Sequence, residues 1–336
     1  MTRTLSRSGS KRDGELNGRN QVGGILWRQD LAAAAAGATT QDNYYWYDGL
    51  RQVVERQQGA LNGAFTGIQS PAAQEEDFGY DATGNWDGYQ TKADGTVNLN
   101  QSRTQNQANE ITNITDTTGP GVPAVNYDAA GNMLAAPQPG DWGEGYEFTY
   151  DAWNRLVNVG RQEEHSSSSS SMESSSSEPW VTVATYGYDG LARRITKDME
   201  ATGPVDYYYS RQWQILEEVR ETVTLNYLWG LRRIDDLVER TPSTPSPSWP
   251  PMYALSDLWN IVASVDSSLE VVERYGYSAF GTTQFLNPEF EAISGSTINW
   301  ETTFCSYRLD SETGLYQVRY RYLHPALGRW VSREWH

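Results

Sequence analysis

Five times along this chain a Tyr-Asp pair opens the same short pattern: YDGLRQV from Tyr47, YDATGNW from Tyr80, YDAAGNM from Tyr127, YDAWNRL from Tyr150 and YDGLARR from Tyr188. Counting from the tyrosine, a small or polar residue stands at +4, a polar one at +5 and usually an apolar one at +6. In the last copy the apolar residue, Ile195, comes one place later. A worn copy, QNQANEI from Gln105, keeps the spacing without the Tyr-Asp, so the register steps by 33, 25, 22, 23 and 38 residues. The two long steps contain insertions, glycine-rich from Gly59 to Gly67 and serine-rich from Glu163 to Glu178; removing the latter shortens 38 to 22. A period of twenty-odd residues is the mark of a repeat architecture.

Each unit reads as a strand, a turn and a strand. Residues before the tyrosine alternate, as in Tyr146-Glu147-Phe148-Thr149-Tyr150, the period of a half-buried strand. The aspartate caps the turn by accepting backbone N–H groups, and Gly84 or Gly131 at +4 accepts a left-handed conformation. One hairpin cannot bury its own face, so the units must stack side by side into a continuous sheet. Beyond Tyr188 the motif drifts while tyrosines recur at Tyr209, Tyr227, Tyr253 and Tyr277. Strand character is expected at Trp213–Glu218 and Arg232–Val238. Residues 1–40 read as a poorly ordered polar leader, with an edge strand at Gly24–Trp27 and a short alanine helix ended by Gly37 that nothing stitches to a core. The expected division is then a repeat array over 41–240, with its serine-rich loop at 163–178, and a closing region over 252–336. A Pro/Ser-rich surface loop from Thr241 to Pro251 separates them.

Composition supports an all-β reading: 21 Tyr and 13 Trp stand against 7 Phe, a mix suited to strands that bury a ring and keep a polar tip wet. The formal charge of −17 makes nucleic acid and anionic membranes poor partners. One cysteine, Cys305, excludes a disulfide framework. No apolar run is long enough to span a membrane, and no signal peptide is visible.

The last thirty residues, YRLDSETGLYQVRYRYLHPALGRWVSREWH, hold a second ordered pattern. Glu312-Thr313-Gly314 forms a turn, and Tyr316, Val318, Tyr320 and Tyr322 then alternate with Gln317, Arg319, Arg321 and Leu323 as one strand. His324-Pro325 and Gly328 stop it, and Arg329-Trp330-Val331 returns. The stretch resembles the block that closes the core of Rhs (YD-repeat) proteins, with Asp310, Gly314, Leu315, Tyr316, Arg319, Tyr320, Tyr322, Pro325, Gly328 and Arg329 carrying the match. The block from Tyr253 to Thr283 resembles the Rhs core as well, with Leu258-Trp259 where Leu-Gly is more usual. The paired Tyr47/Asp48, Tyr80/Asp81, Tyr127/Asp128, Tyr150/Asp151 and Tyr188/Asp189 are then its structural repeat signature.

The resemblance implies a β-sheet that curls into a spiral or partial, cocoon-like shell, and a location that is secreted or at the cell surface. It implies a non-catalytic segment that encloses or displays a polypeptide, without toxin cargo, whose partners are that polypeptide or upstream shell repeats. Family shells contain many more repeats, so closure by this chain alone is not expected. Many family members carry, just after the closing block, a D-P-x-x-G-L-type segment where the shell cleaves itself from a variable C-terminal toxin. Here Glu334 and Trp335 stand at its Asp and Pro, and His324 replaces the Asp that commonly precedes Pro325, so cleavage is not carried over.

Little else suggests chemistry. The three histidines, His165, His324 and His336, show no zinc spacing. Cys305 with His324 lacks an orienting third group, no calcium or phosphate loop appears, and no cofactor is expected. Two rivals are a glycan- or partner-binding surface module, for which exposed Tyr and Trp would serve, and an enzyme built on a buried acid pair; a third alternative is a degenerate shell remnant with no activity.

Overall fold

The computed structural model describes residues 10–12, 15–20, 22–38, 41–162, 180–200 and 202–333. Within these, 28 strands form three antiparallel sheets, each ordered strictly along the chain. The first has nine strands, β1 (Ser10–Arg12) to β9 (Ile111–Thr118), and the second fifteen, β10 (Asn126–Tyr127) to β24 (Ala292–Ile293). The closing sheet has four, β25 (Arg308–Asp310), β26 (Leu315–Val318), β27 (Arg321–His324) and β28 (Arg329–Trp330). The chain is all-β, apart from short helical turns, and its large sheets do not close into a barrel by backbone pairing. Sequential antiparallel pairing is what hairpins of one type, repeated, must produce.

The closing sheet lies against the fifteen-stranded sheet. Its Leu315, Tyr322, Leu327 and Val331 share a core with Met133, Phe148, Leu156, Val159 and Val205. A second core, with Met252, Ile261, Tyr275 and Trp300, fills the far end of that sheet. The first sheet reaches the same far end through side chains: Arg28 pairs with Asp257, and Glu76 accepts the Ala279 N–H at 2.9 Å. Phe280 meets Phe78 and Trp86 edge-on. The first sheet thus meets the far end of the second through side chains of strands inside its own order, and no strand pairing joins β1 to β24.

Several expectations need correction. The alternating stretch from Tyr316 to Leu323 is a hairpin: β26 and β27 pair Tyr316 with Leu323 and Val318 with Arg321. Arg319 takes a left-handed φ of 50°, which turns the chain, and Tyr320 emerges into solvent. Strict alternation continues across a two-residue hairpin loop, so pattern alone cannot separate one strand from two. Trp213 sits in a turn, and the strand there starts at Ile215. Arg232–Asp236 is a loop before a strand at Leu237–Pro242. Residues Ile25–Asp30 form β3, paired on both sides, so the strand is not an edge. Helix α1 (Leu31–Ala36) ends at Gly37, as expected, but it is stitched down: Ala33 packs on Leu286 and Phe290. Within 1–40, strands β1, β2 (Glu15–Arg19) and β3 belong to the nine-stranded sheet. The serine-rich loop at 163–178, the first nine residues, His165, and Glu334 to His336 lie outside the described residues.

Candidate functional site

The Tyr-Asp turns share one geometry. At Asp48, Asp81, Asp128, Asp151 and Asp189 the carboxylate Oδ1 accepts the backbone N–H groups two and four residues on, at 2.8–3.0 Å. The residue at +4 is left-handed in every copy: Arg51, Gly84, Gly131, Asn154 and Ala192 have φ between 55° and 87°. The tyrosine reaches back across the sheet. The hydroxyls of Tyr47, Tyr80, Tyr150 and Tyr188 donate to the carbonyls of Ile25, Val53, Met133 and Leu156 at 2.6–2.9 Å. Tyr127 differs, accepting the Ile111 N–H at 3.4 Å.

In four of the five copies the polar residue at +5 links its turn to the next. Asn85 and Asn132 donate to Asn109 and Asn154 at 3.0 and 2.9 Å. Arg155 and Arg193 donate to the carbonyls of Asp189 and Ser210 at 3.2 and 3.4 Å. Five further turns share the side-chain cap, headed by Asn62, Asn106, Ser210, Asp266 and Asn287. The sequence shows the Asn106 turn as the worn copy and an aspartate turn, that of Asp266, within the Tyr253–Thr283 block. The others hide because Phe65, Trp213 and Phe290 occupy the left-handed place.

The closing motif meets the repeat sheet through buried charge. Asp310 receives both terminal nitrogens of Arg194, at 2.5 and 2.9 Å, and Lys197 Nζ at 3.2 Å, all three side chains having no exposed surface. Lys197 also meets Glu312 at 3.1 Å and Glu301 at 3.6 Å. Arg308 continues the chain of charges to Glu218 at 2.5 Å and to Glu301, and Arg220 bonds both of those carboxylates. Burial alone would raise Asp310, but Arg194 and Lys197 outweigh it and hold the carboxyl below its usual range. The same balance keeps Glu218 and Glu301 low. Glu312 goes the other way: burial raises it, Asp310's charge adds to the rise, and Lys197 offsets only part. Buried charges survive only when paired this closely. An ionised Asp310 with both oxygens spent on cations is a strut and has no proton to give.

The other motif residues serve the same docking. Tyr316 donates to the Gly281 carbonyl at 2.8 Å, and burial pushes its hydroxyl up to about 12. Tyr322 stacks on Tyr186 with centroids 5.1 Å apart and accepts from Arg194 at 3.1 Å. Arg329 reaches the first sheet, donating to the Asn109 carbonyl at 2.5 Å and to Asn85 at 2.7 Å. Gly314 (φ 67°) and Gly328 (φ 63°) are left-handed, and a Cβ at Gly328 would lie 2.6 Å from the Trp86 ring. Pro325 follows His324, which bonds the Pro137 carbonyl at 2.8 Å. Arg319 and Tyr320 stand apart on the hairpin tip, where Tyr320 meets Trp213 edge-on and Arg319 faces Asp235 at 3.9 Å.

Elsewhere, burial raises the Cys305 thiol to about 11, the opposite of an activated thiolate. Glu55, Glu75 and Asp77 converge, but Lys92 already pairs with Glu75 and, at 2.9 Å, with Asp77.

The fold so described is a sequential antiparallel repeat sheet with a charge-docked closing sheet. No family model matches the sequence. Among curated proteins, the tRNA3(Ser)-specific nuclease WapA of Bacillus spizizenii is 25% identical over 261 residues, covering 76% of this chain and 9% of that protein. The double-stranded DNA deaminase toxin A of Burkholderia cenocepacia is 23% identical, covering 98% of this chain and 23% of its own length. The chain thus spans less than a quarter of these relatives. Among solved structures, TcdB2-TccC3 without its hypervariable C-terminal region superposes with a TM-score of 0.34 at 14% identity, over 95% of this chain and 20% of that one. The Photorhabdus luminescens Tc holotoxin pore gives 0.32 at 12% identity, with the same coverage. The sequence likeness to these much longer proteins agrees, in general terms, with the Rhs-type resemblance.

Proposed function

We propose that this chain is a segment of an Rhs-type shell, a scaffold that encloses or displays a polypeptide and performs no catalysis itself. The observation that carries this is the charge-docked closing sheet. Every polar group of the closing motif with a strong partner spends it on holding the sheets together, and Asp310 has no surface for a substrate. The ten capped turns, four of them linked to the next through the +5 residue, supply a stiff wall of the kind a container needs. Two long relatives are named for activities on nucleic acid, and the −17 charge of this chain is poorly suited to that substrate. Those activities accordingly belong to other parts of such proteins in this reading. A toxin-delivery setting and a secreted or cell-surface location follow from the same reading, as does its position as the C-terminal portion of a shell.

The test is direct. The purified chain, incubated with tRNA and with double-stranded DNA, should leave both uncut and undeaminated by gel and sequencing. Turnover of either, abolished by Asp310→Asn or Glu312→Gln without loss of folding, would overturn the scaffold reading.

A further inference from the structure

Where the first sheet meets the far end of the second, a cavity of about 500 Å³ is lined by Arg28, Asn43, Arg56, Arg274, Tyr277 and Phe290, among others. Two of its arginines are committed. Arg28 pairs with Asp257, and Arg56 spends its three nitrogens on Asn43 (2.9 Å), Glu76 (3.1 Å) and Gln58 (2.9 Å). Arg232, which also borders the cavity, is held by Asp236 at 2.7 and 3.0 Å.

Arg274 is different. Its Nε donates to the Pro288 carbonyl at 3.0 Å, and its guanidinium carbon lies 4.1 Å from the centroid of the Phe290 ring. Among the described residues no carboxylate lies within ion-pair distance of it; Asp30 and Glu289 act on it only from farther away. Desolvation disfavours its charge, as expected for a cation without an anion beside it. A guanidinium fixed at Nε and backed by a ring keeps its two terminal nitrogens as a pre-set fork for a planar oxyanion. The cavity mixes aromatic and apolar wall with charged and amide side chains, and convergent polar groups in such a concavity are what fixes a small ligand's orientation.

We propose that this cavity binds a carboxylate-bearing ligand, with Arg274 as its anchoring residue. Asp30 lines the same cavity and, as the cap of α1, accepts the Ala33 N–H at 2.8 Å. Its negative charge disfavours a dianion such as sulfate more than a single carboxylate. The carboxylate comes either from a free organic acid or from an acidic side chain of a peptide, and the volume admits only a few residues. The inference does not depend on the shell reading.

Two probes distinguish the sources: N-acetylglycine, and the blocked tripeptide acetyl-Ala-Asp-Ala-amide. Each is titrated into the whole chain carrying ¹⁵N-labelled arginine, following the side-chain Nε signal of Arg274. Saturable shifts are expected with one probe or both, and the tighter one names the source. Arg274→Lys, which keeps the charge and loses the fork, should weaken binding about tenfold or more with an unchanged melting midpoint. Phe290→Leu should weaken it with the charge intact, and sodium sulfate should compete poorly. No saturable shift with either probe, full affinity in Arg274→Lys, or sulfate binding as tight as the carboxylates would each overturn the proposal.

Discussion

At the scale of single residues, the sequence announced Asp310 as a motif position but not its task. Its neighbours Arg194 and Lys197 lie 116 and 113 residues away, and nothing in a repeat pattern says that two basic residues are fully buried. In YDGLARR the final Arg194 even breaks the apolar rule at +6, and that exception was the one available signal. Asp310→Ala should cost about 3–5 kcal/mol of unfolding free energy, because two buried cations lose their counter-charge. Denaturant titration of the variant against the parent measures it, and a loss below about 1 kcal/mol would mean that water, not Asp310, satisfies Arg194. A second change, Arg194→Met in the Asp310→Ala background, should recover part of the loss, since it removes one of the stranded charges.

At the scale of the element, the turn is the unit that sequence reads best. Its cap and its left-handed position are local, fixed by four or five consecutive residues, so Asp151 and Gly131 declare them openly. Asp151→Ala removes two backbone caps and should cost about 1 kcal/mol; its ion pair with Arg155 is partly exposed and adds little. Thermal or denaturant unfolding checks this, and an unchanged midpoint would refute the capping role. The same locality explains what was missed. Trp213 and Phe290 take the left-handed place although bulky side chains rarely do, because the cap and the flanking strand pairing impose the turn. In the closing block, the alternation of Tyr316 to Leu323 was real, but Arg319 turned it into a hairpin.

At the scale of the molecule, His324 couples the docking of the closing sheet to pH. Its Nδ1 accepts the Leu327 N–H at 3.1 Å and its Nε2 meets the Pro137 carbonyl at 2.8 Å, which requires the neutral ring. Burial lowers its pKa from 6.5 to about 4, with Pro137 opposing. The unfolded chain therefore binds more protons between those values, so stability is full above pH 6.5 and falls as the pH drops toward 4. The whole loss is at most about 3 kcal/mol. Glu312 acts in the opposite sense, its raised pKa favouring the fold as it takes up a proton on acidification. Unfolding midpoints of the parent and of His324→Gln, followed from pH 7 to 4.5, should converge as the pH falls. Parallel curves would show that the histidine does not carry the effect. Chain order alone determined the sheet order, because identical hairpins of twenty-odd residues pair only with their sequence neighbours. The tyrosines, capping aspartates and left-handed positions were likewise written locally. Which buried charges meet, that Arg103 donates to the Leu327 carbonyl, and that the first sheet meets the far end of the second were decided by tertiary structure. The farthest-reaching of them, such as Arg194–Asp310 and Arg103–Leu327, join residues more than a hundred places apart, where low dielectric and close packing, not periodicity, select the partners.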